Sequence, residues 1–208
     1  MKSIIKRFAL FALMLAMFGQ YTTVQAGDVF KFKGRSASAF FESIDASGCI
    51  ITGGSVFVSQ QVFHNPPGGG IPSAEVFVDL FQFDFCTDTP LLSASGNAPL
   101  AKPDFQVDGT LASAALNATV NMFDFVSSSS FDVTVDLNWT ATSSLGHQNS
   151  RFNVTFQGCH ENLHTNSAFR FAEASGSISD GTTNFTPLPS LDGQILSAKT
   201  GDVSHGCN

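Results

Sequence analysis

The chain has 208 residues, only 13% of them charged, with 10 basic against 17 acidic side chains and a net charge of −7. This balance argues against nucleic acid and anionic membranes as partners, because both are bound by clustered Lys and Arg. The shortage of charge, set beside 22 Phe and many Ser, Thr and Gly, also argues against a helical protein, whose surfaces favour Glu, Lys, Arg and Ala.

The N-terminus carries Lys2, Lys6 and Arg7, then an apolar run from Phe8 to Phe18, then the small-residue ending Val24-Gln25-Ala26. This is the layout of a secretory signal peptide, with cleavage expected after Ala26. The apolar run is about half the roughly 20 residues that a membrane-spanning helix needs. Residues 1–26 therefore read as a signal peptide and 27–208 as a single all-β domain, with no stable membrane insertion after cleavage. Removing the peptide leaves 7 basic residues against 17 acidic, a net charge of −10. The basic residues that remain are Lys31, Lys33, Arg35, Lys102, Arg151, Arg170 and Lys199, scattered apart from the first three. The single Tyr, Tyr21, goes with the peptide. A carbohydrate platform, which draws on Trp and Tyr, is thereby disfavoured.

Strands are predicted over 28–33, 37–44, 49–63, 76–85, 91–95, 110–125, 131–140, 151–157, 167–179 and 194–204. The clearest is Phe131 to Thr140, in which every odd residue is apolar and every even one polar, the mark of a half-buried strand. In Val76 to Phe85 both faces are apolar, which suits a central strand. Turn formers punctuate the chain at 45–48, 66–70, 96–99, 127–130, 146–149, 180–181 and 187–189. The segment 65–72 reads as the most flexible. The only recurrence is the Gly-Cys pair at Gly48, Gly158 and Gly206. Strands at this spacing, with no helical period, predict an antiparallel β-sandwich, with a closed β-barrel as the alternative.

Cys49, Cys86, Cys159 and Cys207 form an even set in a chain marked for export, so two disulfides are expected. Pairing Cys49 with Cys86 and Cys159 with Cys207 closes a moderate loop in each half, worth at most about 4 kcal/mol each on the chain-entropy model. Asn117, Asn138, Asn153 and Asn184 begin N-x-[ST] sequons, which matter only in a host that glycosylates exported proteins.

One motif carries chemistry. His160-Glu161-Asn162-Leu163-His164 spells HExxH. On a helix, residues i and i+4 share a face, so both imidazoles reach one Zn²⁺ while the glutamate acts as general base on the bound water. The flanks speak against a helix: Phe152 to Phe156 and Phe169 to Phe171 alternate like strands, and Gly158 and Thr165-Asn166-Ser167 bracket the motif. A milder expectation is a non-catalytic metal site of His160, His164 and His205, gathered by a Cys159–Cys207 bridge. Asp132 with Asp136, and Asp79 with Asp84, read as solvated sheet residues. The sequence thus points to a secreted, periplasmic or cell-surface β-sandwich that binds an extracellular ligand or serves a structural role, without a cofactor. The alternative is a zinc-dependent hydrolase with Glu161 as its catalytic base. A helix at 160–164 would favour the hydrolase, and a strand or turn the binding module.

Overall fold

The computed structural model describes residues 28–64, 70–156, 159–185 and 195–207. The expected signal peptide and the segments 65–69 and 186–194 lie outside the described residues. Ten strands form the chain: β1 (Asp28–Ile44), β2 (Ile50–His64), β3 (Gly70–Asp84), β4 (Thr89–Pro99), β5 (Phe105–Val107), β6 (Ser113–Asp124), β7 (Ser129–Ala141), β8 (Gly146–Phe156), β9 (Cys159–Ser179) and β10 (Ile195–Cys207). All pairings are antiparallel, and the path β10-β1-β2-β3-β4-β6-β7-β9 returns to β10, because β9 also pairs with β10.

Among the described residues, hydrogen bonds thus join these strands in a ring. Its two corners lie at different levels: β4 meets β6 only at Ala94–Gly96 against Met122–Asp124, whereas β10 meets β9 only from Phe171 towards Cys159. The two walls also lie within one side chain's reach. Trp139, 1% exposed on β7, donates its indole N–H at 2.9 Å to the Ser38 carbonyl on β1. That carbonyl lies just past Ala37, the last β1 residue to pair with β10. The fold is therefore an all-β antiparallel sandwich, its inner faces meeting in one apolar cluster that includes Phe41, Val56, Val78, Leu116, Val133, Leu137 and Ile178.

The strict alternation of β6 and β7 matches their burial, with every second residue inside. Elsewhere the strands are longer than their sequence pattern implies. β1 spans both segments predicted as separate, β9 begins at Cys159 instead of Ser167, and the turns expected at 96–99 and 146–149 lie within β4 and at the start of β8. The physical reason is a change of phase. In β1 the buried residues are Ala37, Ala39 and Phe41, but towards Asp28 the exposed side chains on that same face are Lys31, Lys33 and Arg35, while Phe32 is half-buried on the other. β9 does the same: Ala172 and Ala174 are buried, yet His164 and Asn166 on that face are exposed, with half-buried Leu163 and Phe169 on the reverse. A pattern that reverses mid-strand reads as two strands, or as strand and loop.

β7 and β8 follow one another along β9, broken only at 142–145. There Thr142 N–H donates to the Phe171 carbonyl, and Phe171 N–H donates to Ser143 Oγ. Beyond the break β9 has β8 on one edge and β10 on the other, so β8-β9-β10-β1-β2-β3 continues past the sandwich as a single sheet. Over the core at that level lies the segment around β5, held by two arginines. Arg35 Nη1 donates to the Val107 carbonyl at 2.7 Å and Arg170 Nε to the Thr110 carbonyl at 3.1 Å. Between them Leu111 is buried, in the left-handed region at φ 59.

A repeat absent from the sequence reading emerges at the opposite end. Phe83-Asp84-Phe85 and Phe123-Asp124-Phe125 each open a hairpin turn, followed at matching positions by Thr87 and Ser127. In both, the aspartate accepts hydrogen bonds from backbone N–H groups two and three residues on, the residue before the next strand is left-handed (Asp88, Ser128), and the two Phe rings pack edge-on. The intervening residues differ, which hides the recurrence from a search for shared letters such as Gly-Cys.

Candidate functional site

The HExxH residues lie on a strand. Along β9 the alternation puts His160 and His164 on one face with Glu161 on the other, and four residues of extended chain separate the two histidines by roughly 13 Å. The spacing that a helix turns into a shared metal site therefore holds the imidazoles apart here. His160 Nδ1 is 2.9 Å from Thr155 Oγ1 on β8, and His164 Nδ1 is 3.7 Å from Asp202 Oδ1 on β10. His205 stands opposite Glu161 in the β9–β10 register, with Gly206 opposite His160.

Cys49 and Cys86 form a disulfide, which ties the β1–β2 turn to the β3–β4 turn. Cys159 is disulfide-bonded as well, and its cross-strand neighbour in the register is Cys207. Among the described residues, Cys49, Asp84 and Cys86 form a cluster of metal-ligand atoms. With both sulfurs in the disulfide, neither is the thiolate that a metal would take. The Asp84 carboxyl is held below its ordinary value by the Thr87 hydroxyl, then by the Thr87 and Cys86 N–H groups. Asp132 accepts a hydrogen bond from Asn121 Nδ2 at 2.7 Å, which makes it part of the β6–β7 ladder.

A cleft of about 410 Å³ lies where the strands change phase, on the face opposite the core. Its walls are the rings of Phe57 on β2 and Phe169 on β9, both half-buried. Ser36 and Ser38 from β1, Ser167 from β9 and Ser197 from β10 bring hydroxyls, Gln148 an amide and Lys199 an ammonium. Ser197, 7% exposed, is hydrogen-bonded to Ser36 at 2.7 Å between hydroxyls, and Ser167 Oγ donates to the Gln148 carbonyl at 3.1 Å. Apolar walls with a few converging polar groups are the usual make-up of a small-molecule site. The sequence reading missed this cleft because its residues come from five strands and the serines are ordinary sheet residues one by one. The signal available was the phase reversal itself.

No family model matches the chain, and no curated protein matches it. Among solved structures it is similar to an enduracididine biosynthesis enzyme, MppR, complexed with the condensation product of pyruvate and imidazole 4-carboxaldehyde. The likeness covers 90% of each chain at 8% identity and a TM-score of 0.29, too low to carry an argument.

Proposed function

We propose that the protein is an exported, non-catalytic binding module whose ligand occupies the cleft between Phe57 and Phe169. The observation that carries this reading is the chemistry of the lining: two aromatic walls, a row of hydroxyls and one ammonium, Lys199, in a chain of net negative charge. A ligand that fits is small and amphipathic, with an apolar body against the rings and a carboxylate or similar anionic head at Lys199. Export is supported by the N-terminal charged and apolar layout and by the Cys49–Cys86 disulfide, since disulfides persist in oxidising compartments. The strand spacing of His160 and His164 favours binding over zinc hydrolysis.

The test uses 1-anilinonaphthalene-8-sulfonate, an anionic aromatic probe. Saturable binding of one probe per chain, weakened at least tenfold by Phe169→Asp and by Lys199→Glu in variants that keep the parent melting temperature, is expected. Absence of saturable binding, or binding indifferent to both substitutions, rejects the cleft as the site.

A further inference from the structure

β8 pairs with β9 along one edge, and among the described residues nothing pairs with its other edge. That edge is 11 residues long, Gly146 to Phe156, and is exposed over almost its whole length. Edge strands that must stay single are blunted by charged side chains, proline, bulges or a covering segment. β8 holds a single full charge, Arg151, and no proline, its register with β9 runs without interruption, and it leaves Phe152 54% and Phe156 69% exposed.

We infer that β8 is a dimerisation strand, pairing antiparallel with β8 of a second copy about a two-fold axis at Phe152. The residue pattern of β8 selects this occupant. Centred on Phe152, the pairing sets Phe152 against itself, Arg151 against Asn153, Ser150 against Val154, Asn149 against Thr155 and Gln148 against Phe156. An aromatic pair stands at the axis, and no two like charges are directly opposed. Moving the axis to Arg151 sets that arginine against itself, which is unfavourable. Among the described residues each chain offers one edge of this length, so the contact is isologous and stops at two copies. The joined sheets become continuous, and Gln148, which lines the cleft, lies inside the paired segment. This inference does not depend on what the cleft binds.

The experiment measures mass in solution by light scattering on the exported protein, produced in a host that leaves Asn153 unglycosylated. The parent is expected at twice the chain mass. Asn153→Lys sets a lysine opposite Arg151 on both sides of the axis and is expected to halve the mass; adding Arg151→Glu turns both repulsions into attractions and restores it. Phe152→Lys, which opposes two lysines at the axis, is expected to give a folded monomer that still melts cooperatively, at a temperature independent of protein concentration. A monomeric parent, assemblies larger than two, or a dimer indifferent to Asn153→Lys and Phe152→Lys overturns the inference. Failure of Arg151→Glu to rescue overturns the register centred on Phe152.

Discussion

The backbone N–H of Ser93 donates to Asp124 Oδ1 at 3.1 Å, across the corner where β4 meets β6. The ladder there consists of three register pairs, Ala94 with Asp124, Ser95 with Phe123 and Gly96 with Met122. The same carboxylate accepts the N–H groups of Val126 and Ser127 and, at 2.6 Å, the Ser127 hydroxyl. One buried side chain thus closes a hairpin turn and fastens one wall of the sandwich to the other.

Asp124→Ala leaves several donors without a partner at this corner, and we expect it to lower stability by about 3 kcal/mol. Asp84→Ala removes the equivalent carboxylate from the other copy of the hairpin, where it accepts only within its own turn. We expect that change to cost less than the loss of Asp124, because no contact across the corner goes with it. Urea unfolding of the two variants reads the difference; equal losses would show that the Ser93 contact adds nothing.

Stability is expected to decline in acid, between about pH 4 and pH 2. Burial by itself would raise the Asp124 carboxyl, but the Ser127 hydroxyl and the N–H groups of Val126, Ser93 and Ser127 outweigh it and hold the group at about 2. Asp45, Asp84 and Asp108 are lowered first of all by the hydroxyls of Ser47, Thr87 and Thr110, and Asp180 by the Thr183 N–H. Each carboxyl binds its proton at higher pH in the unfolded chain than in the folded one. Their contribution is therefore complete above the ordinary value of 3.8 and is lost as pH falls through the folded values. Asp79 runs the other way, raised by burial against the smaller effect of Ser55, one group against five. Thermal melts over this range test the sign: a melting temperature that holds or rises down to pH 2 contradicts it.

Zinc should not bind stoichiometrically through the histidines of β9. With His160 and His164 held roughly 13 Å apart along the strand, the double change His160→Ala and His164→Ala is expected to leave the metal content unaltered. Elemental analysis of parent and variant decides it. One zinc per parent chain, lost in the variant, would put the alternative hydrolase reading ahead of the binding module.

The sandwich was legible in the sequence where each strand keeps one phase. β7, from Phe131 to Trp139, announces its buried face letter by letter. β1 and β9 were legible only in halves, because their apolar residues cross from one face to the other midway. The Cys49–Cys86 bridge followed from count and loop length alone. β5 was not legible, since three residues carry too little periodicity to register. The cleft was not legible either, because a site made of one residue here and two there from strands far apart in the chain has no spacing of its own. HExxH shows the converse: five letters define a metal site only on a helix, and β-pairing on both sides of β9 gives them a different geometry.

The pairing of Asp28 with His205 joins positions 177 residues apart, and every β1–β10 contact is of this long-range kind. Such a ladder carries a large loop-closure entropy and a high contact order, so it belongs to the slow, late part of assembly. The hairpins β2–β3, β3–β4 and β6–β7 can zip as they emerge during synthesis, but β1 must keep one edge bare until β10 has left the ribosome. A chain stopped short of Ile195 would thus carry two unsatisfied edges, on β1 and on β9, beyond that of β8, and its characteristic failure would be aggregation.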